Sequence, residues 1–341
     1  MPQDVYFAIP FQARLSGYLE PARNEHVEWV RARGLTRSER GLAEYLAWDL
    51  PQMVARNYPD ASYRDTVLLM NWFAVSFLLD DQFADLAEGP AGGGRPRAER
   101  VAEVCREMIV VPYRPAGAPT EVDCPITAAW AEVWAGLGAG MSETWVNRFG
   151  SSWGRFMAAH AYEVRRSADH RAPALNLDEY RTLRRQTVGM YHALDVVERS
   201  RHCELPPQVA AHEVMRAMRR CATDTIAYMN DIHSLEREEY RGDPHNLVLV
   251  LRRERRLARE DAVAEAIRMA RAELDEYLRL EERLPKVCVE LGLDADERMA
   301  VDACVEGIRN WIRGNHDWAR STGRYASTDH PGTGEDLLTA V

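Results

Sequence analysis

Apolar residues recur along most of the chain at three- and four-residue spacing, the repeat of a helix with one buried stripe. The pattern predicts helices over residues 37–54, 63–86, 99–110, 126–137, 143–167, 177–200, 206–240 and 259–284, with a last long helix over about 296–320. Strand-like alternation is nearly absent, so the expected fold class is all-α. Gly and Pro gather between these segments, at 89–96, 112–119, 171–173 and 242–244, and mark loops. The longest apolar run, 67–79, is 13 residues with Asn71 and Ser76 inside it. That is too short to cross a bilayer and reads as a buried helix. The tail after Tyr325 is rich in Ser, Thr, Gly, Asp and Pro and has no apolar stripe. We therefore expect one helical domain over 1–325 and a tail, 326–341, without order in the absence of ligand.

Composition narrows the class of partner. The chain has 341 residues, of which 46% are apolar, enough for one large core, and no shift of composition divides it. Its formal net charge of −10 argues against nucleic acid or an anionic membrane as a partner. It does not argue against a small anion held through metal ions. Cys105, Cys124, Cys203, Cys221, Cys288 and Cys304 are irregularly spaced with no Cys-x-x-Cys pair, and read as reduced core thiols. The first residues, MPQDVYFAIPFQARLSG, lack the basic flank and apolar run of a signal peptide. Together these features point to a cytoplasmic protein.

Two polar clusters stand out against the apolar background. Asp80, Asp81 and Asp85 end the strongly apolar helix that carries Phe73, Ser76 and Phe77. Asp81 and Asp85 share a helical face, whereas Asp80 and Asp85 stand about 140° apart, so all three meet one ion only if the helix ends or distorts there. Crowded carboxylates repel unless cations sit between them, and hard oxygen ligands suit Mg²⁺. Asn230, Ser234 and Glu238 stand at i, i+4 and i+8 and form a second stripe of hard donors. No pair of Glu-x-x-His repeats is present, which argues against a helical di-iron centre. Gly92-Gly93-Gly94 lacks the Lys and Ser/Thr of a phosphate loop.

At these residues the chain resembles the bacterial class I terpene synthases (terpene cyclases). That family carries an Asp-rich motif on one helix and a second metal motif, NDxxSxxxE, about 150 residues later. Here Asp80-Asp81-x-x-x-Asp85 precedes Asn230-Asp231-x-x-Ser234-x-x-x-Glu238 by 150 positions. Arg184, 46 residues before Asn230, stands at the spacing of the family's diphosphate-sensing arginine. Arg237 takes the place of a basic residue before the motif's Glu, and Arg324-Tyr325 matches a closing Arg-Tyr pair, preceded by a family-like stretch from Trp311 to Trp318. The resemblance, over residues 80–325, implies a single-domain helical bundle around a central apolar cavity. It implies three Mg²⁺ ions, held on one side by Asp80 with Asp81 or Asp85 and on the other by Asn230, Ser234 and Glu238. It also implies that Arg184, Arg237, Arg324 and Tyr325 bind diphosphate, and that the helix breaks near Thr187 and Val188.

The implied reaction ionises a linear prenyl diphosphate and cyclises the allylic cation. Departing diphosphate is stabilised by Mg²⁺ and arginine forks. The cation needs an apolar, water-free cavity with π faces, for which Phe73, Phe77, Trp311 and Trp318 are the candidates. Farnesyl diphosphate is the expected substrate. The small residues Ser76, Val188 and Ala193 would leave room for geranylgeranyl diphosphate, which stands as the alternative. A chain-elongating prenyltransferase would need a second Asp-rich motif, which is absent, and a non-catalytic helical interaction protein would not need intact metal ligands. The sequence leaves a homodimer open.

Overall fold

The computed structural model describes residues 2–84, 94–115, 117–168, 173–326 and 332–339. Asp85 lies outside them, as does most of the glycine-rich loop that follows it. The described residues are built of α-helices joined by short 3₁₀ turns and loops, with no strand among them, as the periodicity predicts. They divide into two compact units, 16–55 with 61–173 and 322–341, and 1–15 with 56–60 and 174–321.

The first unit takes in helices α1 (Leu19–Ala32), α2 (Glu39–Ala47), most of α3 (Leu50–Asn57), α4 (Tyr63–Ala84), α5 (Gly94–Val110), α6 (Pro125–Leu137) and α7 (Glu143–Ala168). α4 packs on α1 and α6, and α5 on α7. The apolar run expected to be a buried helix is the middle of α4, where Leu69, Met70, Trp72, Val75, Leu78 and Leu79 are all buried. Trp130, Trp134, Trp145, Phe149 and Trp153 stack in the core beside it, with Trp130 and Trp153 rings 4.2 Å apart. Both of those indoles donate to the Met108 carbonyl, at 3.0 Å each, so the column buries no free N–H there.

The sequence missed or merged elements here for identifiable reasons. The single helix expected over 37–54 is two, broken at Trp48–Asp49, where Asp49 turns to a φ of +49°. Pro51 then falls in the first turn of α3, where its missing N–H costs nothing. α1 was not expected, because its buried stripe of Leu19, Ala22, His26 and Val30 has a histidine in an apolar slot and Pro21 near its start. Of the tail expected without order over 326–341, the structure describes Ala326 and residues 332–339, and the rest lies outside the described residues. Residues 332–339 pack against this unit, with Leu337 and Leu338 fully buried, so a two-residue apolar anchor does what a longer stripe would do.

The second unit holds α8 (Leu177–Thr187), α9 (Met190–Ser200), the short α10 (Pro207–Ala210), α11 (Glu213–His233), α12 (Leu235–Arg241), α13 (Leu247–Arg255), α14 (Arg259–Glu290) and α15 (Ala295–Ala319). α11 packs along α14 and α15, and α13 packs on α14 and α8. The segment expected as one helix over 177–200 breaks at Val188–Gly189. Gly189 has a φ of +74°, a backbone that favours glycine. The segment expected over 206–240 is split into α10, α11 and α12, with Ser234 at the second joint. α14 runs past Pro285, beyond the helix expected over 259–284, and Leu284, Val287 and Cys288 are buried there. Burial of that face offsets the hydrogen bond that proline removes. All six cysteines are free thiols. No described helix is long and apolar enough to cross a membrane.

Candidate active site

In the first unit the site is built on the C-terminal end of α4. The Asp80 carboxylate is part-exposed and accepts a hydrogen bond from Arg324 Nη2 at 2.8 Å. Arg324 itself is only 3% exposed. Its guanidinium lies 4.4 Å from the Trp48 ring centre and 5.2 Å from that of Phe77. Cation–π contact and the ion pair together compensate the burial of the charge. Nη1 of Arg324 is buried and has no hydrogen-bond partner among the described residues. Tyr325, the next residue, is buried in the same 3₁₀ turn. Phe77 stacks on Phe73 at 5.9 Å, and Phe73 meets Trp72 edge-on. Ser76 is half-buried, its hydroxyl donating to the Trp72 carbonyl at 3.1 Å. Asp81 is fully buried on another face of α4, where it accepts from the Thr333 N–H at 2.9 Å.

In the second unit the NDxxS stretch runs along the end of α11. Arg184 on α8 donates to Asn230 Oδ1 at 2.6 Å and through Nε to Asp231 Oδ1 at 2.9 Å. The fully buried Asp231 carboxylate also accepts from the Tyr180 hydroxyl and, at 2.8 Å, from the Leu247 N–H. Asn246 donates to Glu238 at 2.6 Å and to the Asp231 carbonyl at 2.6 Å, tying α12 to α11. Ser234 donates to the Asn230 carbonyl at 2.8 Å. Burial raises the Glu238 carboxyl to about 7, helped by the Asp243 charge, while Arg184 and bonds from Asn246 and Ser234 pull it down. Arg237 is buried on α12.

The candidate pocket residues of this unit fall in separate places. Thr187 is buried and Val188 half-buried at the α8–α9 break. Ala193, one turn beyond, is backed by Tyr58, whose hydroxyl donates to its carbonyl at 2.9 Å. Trp311 meets the Tyr58 ring edge-on at 5.5 Å. Trp318 is buried further along α15.

Sequence reasoning missed Asp231, Tyr180, Asn246 and Trp48 as supports of the site. Two carried a local signal: Asp231 stands inside the NDxxSxxxE motif, and Asn246 caps α13, accepting from the Val248 N–H at 2.8 Å, where Asn before an apolar run marks a helix start. The others act through contacts with residues distant in sequence. Among the described residues no three or more His, Cys, Asp or Glu side chains gather as a ready metal cage. The donor set is instead carboxylate, amide and hydroxyl oxygen, which suits an ion that keeps water or phosphate oxygens in its shell.

The comparisons with known proteins follow the same residues. A model of the terpene synthase family 2, C-terminal metal-binding domain, matches residues 71–276. The chain is 53% identical over 328 residues to a 7-epi-alpha-eudesmol synthase ((2E,6E)-farnesyl diphosphate cyclizing) of Streptomyces viridochromogenes, covering 96% of this chain and 93% of the relative. It is 37% identical over 331 residues to a pentalenene synthase of Streptomyces avermitilis, covering 96% and 94%. The crystal structure of an a-eudesmol synthase matches the fold with a TM-score of 0.87 at 52% identity, over 94% of this chain and all of that one. Similarity of this depth reaches well beyond the two motifs, and the chain belongs to the bacterial class I terpene synthases, divalent-metal-dependent lyases.

Proposed function

We propose that the enzyme ionises (2E,6E)-farnesyl diphosphate and cyclises the resulting cation to a cyclic sesquiterpene, releasing diphosphate. The observation that carries this reading is Arg324: a buried guanidinium with one nitrogen on Asp80 and the other without an acceptor among the described residues. Such a fork beside a hard carboxylate suits an oxyanion brought in with a metal. The farnesyl chain is taken from the 53% identical relative, which is described as cyclising that diphosphate.

In this reading Asp80 supplies metal-binding oxygen from α4, and Asn230, Ser234 and Glu238 supply it from α11 and α12. Three Mg²⁺ ions would be held; they supply electrostatic stabilisation of the diphosphate oxygens as charge builds on them. Arg184, Arg237, Arg324 and Tyr325 donate to the diphosphate. Asp231, Tyr180 and Asn246 keep Arg184 and Glu238 in place, so these groups need little reorganisation as charge develops. Phe77, stacked on Phe73 and bordering Arg324, offers a π face to a cation. The −10 net charge and free thiols suit a cytoplasmic enzyme whose partner is this small anion.

The test is incubation with Mg²⁺ and farnesyl diphosphate, with products read by gas chromatography and mass spectrometry. A cyclic fifteen-carbon product is expected. Chain elongation on adding isopentenyl diphosphate, or no turnover with any prenyl diphosphate, would overturn the reading.

A further inference from the structure

The aspartates Asp80 and Asp81 stand side by side in sequence, yet adjacent residues on a helix point about 100° apart. Asp80 meets Arg324, and Asp81 meets a separate stretch of the C-terminal segment. The Asp81 Oδ2 accepts from the Thr333 N–H at 2.9 Å and from its hydroxyl at 3.3 Å. Gln82, fully buried, reads the same stretch as a neighbouring strand would: its amide donates to the Glu335 carbonyl at 2.8 Å and accepts from the Leu337 N–H at 3.1 Å. The Glu335 carboxylate caps the start of α2, accepting from the Arg37 and Ser38 N–H groups at 3.0 and 2.9 Å and from the Ser38 hydroxyl at 2.8 Å. Leu337 and Leu338 are buried, and Arg100 donates to the Leu338 carbonyl at 2.6 Å. Gly332 has a φ of +73°, and a Cβ there would come within 2.7 Å of Asp81 Oδ2. Only glycine lets the backbone close on that carboxylate.

We propose that Asp81 is a positioning residue: with Gln82 it clasps residues 333–338 as a C-terminal strap, and the strap fixes the end of α4 that presents Asp80 to Arg324. Asp81 then gives no oxygen to a metal. Its Oδ2 is committed to the buried Thr333 N–H, and withdrawing that oxygen to a cation would leave the donor unsatisfied. The strap is joined to α4 by Asp81 and Gln82, to α2 by Glu335 and to α5 by Arg100. It thus ties three helices together beside the proposed metal-binding carboxylate. The consequence for metal binding rests on the reading of Asp80 given above; the clasp itself does not.

Hydrogen exchange on the full chain without ligand, together with calorimetry of inorganic diphosphate binding at graded Mg²⁺, tests the proposal. Asp81→Ala and Gly332→Ala should each speed exchange over residues 333–338 by about tenfold or more. Asp81→Asn keeps an acceptor oxygen, so it should restore protection and hold the half-saturating Mg²⁺ within about threefold of the parent. Two results would overturn the assignment. One is native exchange in both Asp81→Ala and Gly332→Ala. The other is an Asp81→Asn variant with native exchange that needs about tenfold more Mg²⁺, as a lost metal ligand would. Asp80→Ala, measured alongside, separates the two ideas: unchanged Mg²⁺ dependence there would sink the metal reading while leaving the clasp standing on exchange alone.

Discussion

Arg324 and Arg184 both lie beside carboxylates, and they are held in different ways. Arg324 sits between Trp48 and Phe77 with one nitrogen on Asp80 and the other without a partner among the described residues. Arg184 is spent on Asp231 and Asn230, and Asp231 is fully buried. Replacing Arg324 by Ala should therefore weaken binding of inorganic diphosphate with Mg²⁺ by about tenfold or more, with a modest loss of stability. Replacing Arg184 by Ala should do that and also strand a buried carboxylate, costing about 3–5 kcal/mol. Calorimetry and denaturant midpoints on the two variants check the contrast; equal midpoints would remove Arg184 as an anchor. Removing a metal oxygen is a third case. Asp80→Ala and Glu238→Ala should each lower turnover of farnesyl diphosphate by more than about a hundredfold without unfolding the chain, judged by circular dichroism. Near-normal turnover at saturating Mg²⁺ would exclude either residue as a ligand. The motif residues were legible because helical spacing puts them in one stripe. The supporting roles of Trp48 and Tyr180 were not, because what they do is set by which distant helix arrives against them.

The elements show where a periodic pattern misleads. α1 hides behind His26, a polar residue in the buried stripe. The structure explains it: Nδ1 meets Asn71 of α4 at 2.7 Å and Nε2 meets the Tyr45 hydroxyl of α2 at 2.6 Å, so one imidazole joins three helices. Burial lowers its pKa to about 4, with the Arg23 charge adding to the fall, while the Asn71 hydrogen bond opposes it. The folded chain then holds His26 neutral where the unfolded chain, with a pKa of about 6.5, takes up a proton. Above pH 6.5 neither state is charged and nothing is lost; stability falls as the pH drops below the unfolded value and levels off near 4. His233 and His316, lowered to about 3 and about 4 chiefly by burial, add in the same direction. We expect His26→Gln to lose stability at neutral pH and to show less of the acid-linked decline. The difference should be about 2 kcal/mol between pH 7.5 and pH 5, read from denaturant midpoints. Parallel curves for the two proteins would show that His26 is not held neutral. The breaks at Asp49 and Gly189 follow a related rule: continuous apolar spacing announces helix on both sides of a turn, and the break after Thr187 was legible through the family resemblance alone, that at Asp49 not at all.

At the scale of the whole molecule the open question is how long a prenyl chain the enzyme accepts. Small residues at Ser76, Val188 and Ala193 argued for spare room and hence for a twenty-carbon substrate. A sequence shows which side chains are small but not what stands behind them. At Ala193 the structure supplies the missing part: the Tyr58 hydroxyl donates to its carbonyl, Trp311 packs edge-on against the Tyr58 ring, and both aromatics are almost fully buried. Tyr58, from the loop after α3, thus stands against the α9 backbone at Ala193, with Trp311 of α15 packed on it. At Gly307 the packing is closer still, since a Cβ there would come within 2.1 Å of Val197. We therefore expect a preference for farnesyl over geranylgeranyl diphosphate of about tenfold or more in kcat/KM, measured by competition at equal concentrations. Tyr58→Ala should narrow it. Removing a buried ring and hydroxyl leaves a cavity that costs about 3–5 kcal/mol of stability, so the assay belongs at low temperature, with folding checked on the same sample. A parent enzyme that prefers the twenty-carbon diphosphate by about tenfold would reverse the assignment. A Tyr58→Ala variant that folds yet keeps the full preference would place the limit on chain length elsewhere than behind Ala193.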